Sequence, residues 1–155
     1  MHKNQQGFSL IELLIVVAII LIISAIAIPN LLKSRMAANE ASAVASLRTI
    51  NTAAVTYSTT YGIGYPVALS NLAQSTAPSS TAADLLDSAL STGTKSGYTF
   101  DFAGGTPISG MYLTYTATAA PTNLNQTGNR YFFSDQSGVI RQKIASPATV
   151  TDTPI

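Results

Sequence analysis

Glu12 places a carboxylate inside a run that is otherwise apolar from Leu10 to Ile28, broken besides only by the small polar Ser24. A carboxylate that faces lipid costs about 2.5 to 3.5 kcal/mol, so a chain that keeps one there has a partner for it. The chemistry such a group offers is that of a hydrogen-bond acceptor and counter-ion. Phe8 stands four residues before it, so in a helix the two share a face. A carboxylate in a first helical turn is favoured by the helix dipole and by the free backbone N–H groups of that turn. Its partner is therefore either its own chain's backbone or a cation brought from outside.

Little else in the chain is equipped for catalysis. There is no cysteine, and the only histidine, His2, precedes the apolar run. Without residues 1–7 neither imidazole nor thiol remains, which removes most nucleophile–base pairs and the common zinc sites. No enzyme activity, metal site or cofactor is expected. Asp135 and Ser137 could suggest a calcium loop, but a hairpin turn accounts for both and further ligands are lacking. Thr92-Gly93-Thr94-Lys95 is too short for a phosphate loop, and Gly62-Ile63-Gly64 lacks the third glycine of a dinucleotide site. Phe8, Tyr57 and Tyr61 read as packing residues rather than an electron path. Without Lys3, the eight Lys and Arg fall level with the seven Asp and Glu, so no basic surface for nucleic acid is expected.

The element that positions Glu12 must be long and apolar. From Phe8 to Ile28 is about 21 residues, which as a helix spans about 32 Å and matches the hydrocarbon core of a bilayer. A chain of 155 residues is short for burying such a helix inside a soluble core. A secretory signal cleaved after Ala27 is the rival, and it would release a soluble binding module; Glu12 and the length of the run stand against it. Lys3 before the run is opposed by Lys33 and Arg35 beyond it, so charge leaves the orientation undecided.

Past Ile28, Pro29 removes one helical hydrogen bond and predicts a kink. Helical periodicity then resumes, with Met36, Ala43, Leu47, Ile50, Ala54, Tyr57 and Tyr61 forming one apolar stripe. Arg35, Asn39, Ser42, Ser46, Thr49 and Thr60 lie on the opposite side. One helix of about fifty residues, apolar all round in its first half and amphipathic in its second, accounts for both patterns. Gly62 and Gly64 end it.

The remainder reads as a head. A Gly-, Pro-, Ser- and Thr-rich segment over 62–79 carries Tyr65, Leu69 and Leu72 as anchors. A short helix is expected over Thr81–Leu90, capped by Ser80 or Thr81, with Leu85, Leu86 and Leu90 inward. The period then changes to two: Tyr98, Phe100 and Phe102, then Met111, Leu113 and Tyr115, predict two half-buried strands. Arg130–Ser134 and Val139–Arg141 predict a hairpin about the four-residue turn Asp135–Gly138. The fold class is α+β, a long N-terminal helix against a roughly four-stranded antiparallel sheet. Residues 146–155, rich in Ser, Thr and Pro, are expected to be loose.

The segment Gly7-Phe8-Ser9-Leu10-Ile11-Glu12-Leu13-Leu14-Ile15-Val16-Val17-Ala18-Ile19-Ile20, followed by Ala27-Ile28-Pro29, resembles the N-terminal signature of type IV pilins and of the pseudopilins of bacterial type II secretion. The resemblance is close over residues 7–35. It implies a leader over 1–7, cleavage by prepilin peptidase between Gly7 and Phe8, and N-methylation of Phe8. It further implies a transmembrane and polymerising half-helix over 8–28, an amphipathic half over 29–61, a head over 62–145 and a tail over 146–155.

Orientation follows from the same resemblance: N-terminus cytoplasmic and head periplasmic in the bacterial inner membrane, then an extracellular pilus after assembly. The implied function is that of a structural subunit of a helical homo-oligomeric filament for adhesion, motility, DNA uptake or secretion, built by a pilus or secretion assembly machinery. Glu12 would neutralise the α-amine of a neighbouring subunit, and Pro29 would let the helix bend or melt during extraction. Ser24, Ala25 and Ala27 are small enough for close helix approach. The chain lacks the C-terminal cysteine pair of many pilins and an acidic calcium loop like that of the major pseudopilins. A type II secretion pseudopilin is the alternative.

Overall fold

The computed structural model describes residues 8–155; the expected leader, with Gly7, lies outside the described residues. Helix α1 runs from Leu10 to Tyr61 as 52 continuous residues with Pro29 inside it. The missing N–H of Pro29 deletes one rung of the hydrogen-bond ladder, and the apolar and helix-favouring residues on both sides carry the helix through.

Two compact units are present, Met1–Arg35 and Met36–Ile155. In the first, the side chains from Phe8 to Arg35 are exposed, Ser24 excepted. None of the apolar window is buried, and by length and composition this helix can cross a membrane. Leucines, isoleucines and valines stand outward on every side. A surface of this kind is covered by lipid or by other helices.

In the second unit, the helix from Met36 to Tyr61 buries Ala43, Leu47, Ile50, Ala54 and Tyr57, the stripe that the spacing predicts. Glu40, Ser46, Asn51 and Ala53 are buried with them. Ser46 thus lies inward, not on the solvent side expected for it, because the head wraps more of the helix than one stripe. The far side is a ridge of threonines. Thr49, Thr52, Thr56 and Thr59 each donate the hydroxyl proton to the carbonyl four residues back, at 2.9–3.1 Å.

The strands are β1 (Thr94–Lys95), β2 (Tyr98–Gly104), β3 (Pro107–Ile108), β4 (Met111–Tyr112), β5 (Tyr115–Pro121), β6 (Arg130–Asp135), β7 (Arg141–Ile144) and β8 (Thr153–Pro154). Six form one antiparallel sheet in the order β1-β2-β5-β6-β7-β8, and β3 pairs with β4 apart. Pairing sets Phe100 beside Ala119 and Ala119 beside Phe132, and likewise Phe102, Ala117 and Ser134. In the first row a small residue stands between two large ones, which gives the aromatic rings room on the inward face. Phe102 stacks on Tyr115 at 5.0 Å between ring centroids. These side chains and those of α1 form one core.

Four central strands, β2, β5, β6 and β7, answer to the expected sheet; β1 and β8 extend its edges. The expected strand through Met111, Leu113 and Tyr115 is divided in two. The Tyr112 carbonyl accepts the N–H of Tyr65 (2.7 Å) and that of Thr114 accepts the N–H of Gly105 (2.8 Å), which draws the stretch away from the sheet until Tyr115. Gly64, at φ +87°, makes this approach possible, since a Cβ there would collide with the Tyr112 backbone.

The helix expected over Thr81–Leu90 shrinks to α2, Ser88–Ser91, capped by Asp87, whose carboxylate accepts the Leu90 N–H at 2.6 Å. The N–H groups of Ala83, Asp84, Leu85 and Leu86 go instead to carbonyls of a 3₁₀ turn, Leu69–Leu72, and of its neighbour Ala73. Competition from this nearby segment removes the helical bonds. Strand β7 begins at Arg141, past the expected Val139, because the Val139 carbonyl is taken by the Ser134 hydroxyl (3.2 Å). The tail is pinned rather than loose: β8 pairs with β7, Ala148 is buried, and the Ile155 N–H donates to the Ile140 carbonyl at 3.0 Å.

Candidate functional site

At the N-terminal end of α1, Ser9 precedes the first helical residue, Leu10, and Glu12 is the third residue of the helix. Ser-x-x-Glu is the capping-box spacing. The Glu12 carboxylate folds back to accept the Ser9 N–H at 3.0 Å, and the Ser9 carbonyl accepts the Leu13 N–H at 3.3 Å. The carboxylate therefore satisfies one of the four donors that a helix start leaves open. Phe8 is exposed beside it. Glu12 thus has its own backbone as partner, the first of the two possibilities its position allows.

The head contains a second carboxylate whose surroundings would attract a search for chemistry. Glu40, 7% exposed, accepts the backbone N–H groups of Asn129 (2.8 Å) and Arg130 (3.2 Å) on Oε1. On Oε2 it takes the Arg130 guanidinium through Nε and Nη2, both at 2.7 Å. The remaining Nη1 of Arg130 donates to Gln142 Oε1 at 2.8 Å. These contacts join α1 to Asn129 and the start of β6 and, through Arg130, to β7, and no acceptor position is left facing a substrate. It is a clamp. One signal in the sequence could have found it: Glu40 precedes Ala43 and Leu47 at the same three- and four-residue steps as the apolar stripe.

A third polar group is wholly internal. Asn51 Nδ2 donates to Ser134 Oγ at 2.8 Å, and its Oδ1 accepts the Tyr115 hydroxyl at 3.1 Å. Burial pushes Tyr115 up to about 12, with the neighbouring Tyr65 and Asp135 adding to the effect. Tyr98 is raised for the same first reason, burial, and then by the charge of Glu40. Tyr57 is raised by burial as well, and its hydroxyl holds the Ser80 carbonyl at 2.7 Å.

The remaining candidates resolve into local structure. Asp135 Oδ1 accepts the N–H of Ser137 (2.9 Å) and its hydroxyl, so both belong to the turn closed by Gly138. Lys95 pairs with Asp87 at 2.8 Å, and this bond is the main cause holding Asp87 below the usual carboxylate range. Among the described residues, no three His, Asp or Glu side chains converge as metal ligands would. Tyr57 and Tyr61 pack with ring centroids 5.0 Å apart.

Residues 2–28 match the family model described as the prokaryotic N-terminal methylation motif. Over 128 residues the chain is 39% identical to the type IV wide pilus major component PilA4 of Thermus thermophilus, a match that covers 76% of this chain and 94% of that protein. The chain belongs to the type IV pilin family. No solved structure matches it. The similarity to PilA4 extends over most of this pilin, head included, whereas the methylation motif concerns only the apolar end.

Proposed function

We propose that this pilin is a structural, non-enzymatic subunit that waits in the inner membrane on its apolar half-helix, head outward, and polymerises through that helix into a pilus. A prepilin peptidase cuts between Gly7 and Phe8 and the new N-terminus of Phe8 is methylated. The observation that carries the reading is the first unit itself, a helix apolar on all sides with one carboxylate, Glu12, in its opening turn. Lipid covers such a surface before assembly, and the helices of other subunits cover it afterwards. Small residues at Ser24, Ala25 and Ala27 let those helices approach.

Glu12 exchanges partners in this scheme. It leaves the Ser9 N–H for the charged amine that cleavage creates on Phe8 of a neighbouring chain, and two isolated charges become one pair in apolar surroundings. Assembly is thereby tied to processing, since an uncut chain offers no amine at Phe8. Pro29 supplies the place where the helix yields on extraction. PilA4 is named a major component of a pilus, and the similarity supports the same place for this chain.

Two measurements test the proposal. Mass spectrometry of the mature chain should find a methylated Phe8 at the N-terminus; a chain starting at Ile28 overturns it. Glu12→Ala should leave cleavage intact and abolish surface filaments, and normal fibres from that variant would remove the pairing.

A further inference from the structure

Past Glu12 the chain carries no charge until Lys33, about 21 residues and about 32 Å farther along α1, a span that matches the hydrocarbon core of a bilayer. Arg35 follows as the last residue of the first unit. Both side chains are exposed, and neither makes an ion pair among the described residues. Their own helix has no carboxylate to give them. Residues 13–39 contain no Asp or Glu, Glu12 lies a membrane's thickness away, and Glu40 has both oxygens engaged by Asn129 and Arg130.

Leu31 and Leu32, both exposed, continue the apolar surface up to Lys33. A helical side chain leans toward the N-terminus of its helix. Lys33 and Arg35 therefore hang back toward the apolar window. A long cationic side chain at such a border lays its stem on apolar surface and sets its head in the headgroup layer. The two cations stand two residues apart, about 200° around the helix, so they reach out on opposite sides.

We infer that Lys33 and Arg35 each bind the phosphate of an anionic phospholipid, two lipids on opposite sides of one helix, in the leaflet at the Arg35 end. This inference rests on the reading that the first unit spans a membrane. The lipid phosphate is the anion present at that depth. A zwitterionic headgroup brings its own ammonium to that phosphate, whereas the headgroup of phosphatidylglycerol brings none, so the two cations favour the anionic lipid. Lys33 meets the phosphate as a point charge, and Arg35 can hold two of its oxygens at once.

Each cation can be tested separately. The chain has no cysteine, so Asn30→Cys, three residues before Lys33, and Leu31→Cys, four before Arg35, each carry a fluorescent label on the side of one cation. The full chain is placed in phosphatidylcholine vesicles containing increasing fractions of brominated phosphatidylglycerol or brominated phosphatidylcholine, which quench the label on contact. Half-quenching should need about fivefold less phosphatidylglycerol than phosphatidylcholine at both labels, the ratio that about 1 kcal/mol per basic residue gives. Lys33→Gln should abolish the preference at position 30 alone, and Arg35→Gln at position 31 alone. Both side chains are exposed and glutamine keeps the helix propensity, so the fold is retained. Equal quenching by the two lipids overturns the inference, as does a preference that survives Lys33→Gln with Arg35→Gln. A preference erased by inorganic phosphate assigns the cations to the free ion and overturns it too. If either single variant erases both preferences, one lipid serves both cations and the two-lipid assignment falls. No quenching by either lipid would instead sink the spanning reading, and this inference with it.

Discussion

Replacing Glu40 by alanine cuts the clamp that holds α1 to the sheet, and the structure sets the size of the effect. Four donors lose their acceptor at once, two backbone N–H groups and two guanidinium nitrogens. Severing a fully buried ion pair costs about 3 to 5 kcal/mol. The Arg130 side chain is 41% exposed and re-enters water in part, which lowers the expectation to about 2 to 3 kcal/mol. For a unit of about 120 residues this is a fall in melting temperature of about 8 to 15 °C. Glu40→Gln keeps an oxygen for the two backbone donors and loses the guanidinium, so about half of that fall is expected. Thermal unfolding of the full chain in detergent, followed by circular dichroism, reads both, with Arg130→Ala and the double variant completing a cycle. A Glu40→Ala chain melting within about 2 °C of wild type, or coupling to Arg130 below about 0.5 kcal/mol, would refute the clamp.

Two further predictions concern pH. Tyr115, held up to about 12 by burial, and Tyr98, raised by the same cause, favour the neutral phenol in the fold. Their contribution is complete below the unfolded value of about 10 and is lost as pH rises through the folded one, so a tyrosinate fraction should appear only together with alkaline unfolding and shrink in Tyr115→Phe. Asp152 is held below the usual carboxylate range first by the Thr149 hydroxyl and N–H, with Lys143 assisting. What it adds is present above about pH 3.9 and is lost as pH falls through its lower folded value, so hydrogen exchange over 149–155 should rise in acid before the rest of the head opens. Uniform exchange across the head would contradict this.

Patterns of one period were legible before any coordinates. The stripe Ala43, Leu47, Ile50, Ala54, Tyr57 needed only helical spacing, and Tyr98, Phe100, Phe102 needed only alternation, since each set faces one way from one element. What failed depended on a partner distant in sequence. Leu85 and Leu86 look helical until the carbonyl of Leu72 takes their N–H groups, and Leu113 looks like a strand residue until Tyr65 claims the carbonyl before it. Glu40 keeps the spacing of the buried stripe, but the partner that fixes it, Arg130, lies 90 residues away, so the pair is not visible within one element. At the N-terminus the Ser9 and Glu12 pair was readable because both ends of the bond lie in one turn. The tail misled for the opposite reason: its composition is that of a loose end, and Asp152 and the edge of β7 hold it.

The threonine ridge of α1 bears on what that side of the helix will accept. A threonine hydroxyl has one proton to give and two lone pairs to receive with. On Thr49, Thr52, Thr56 and Thr59 the proton is already committed to the helix's own carbonyls. The ridge can therefore receive hydrogen bonds and give none, and whatever lies on it, water included, must bring the N–H or O–H itself.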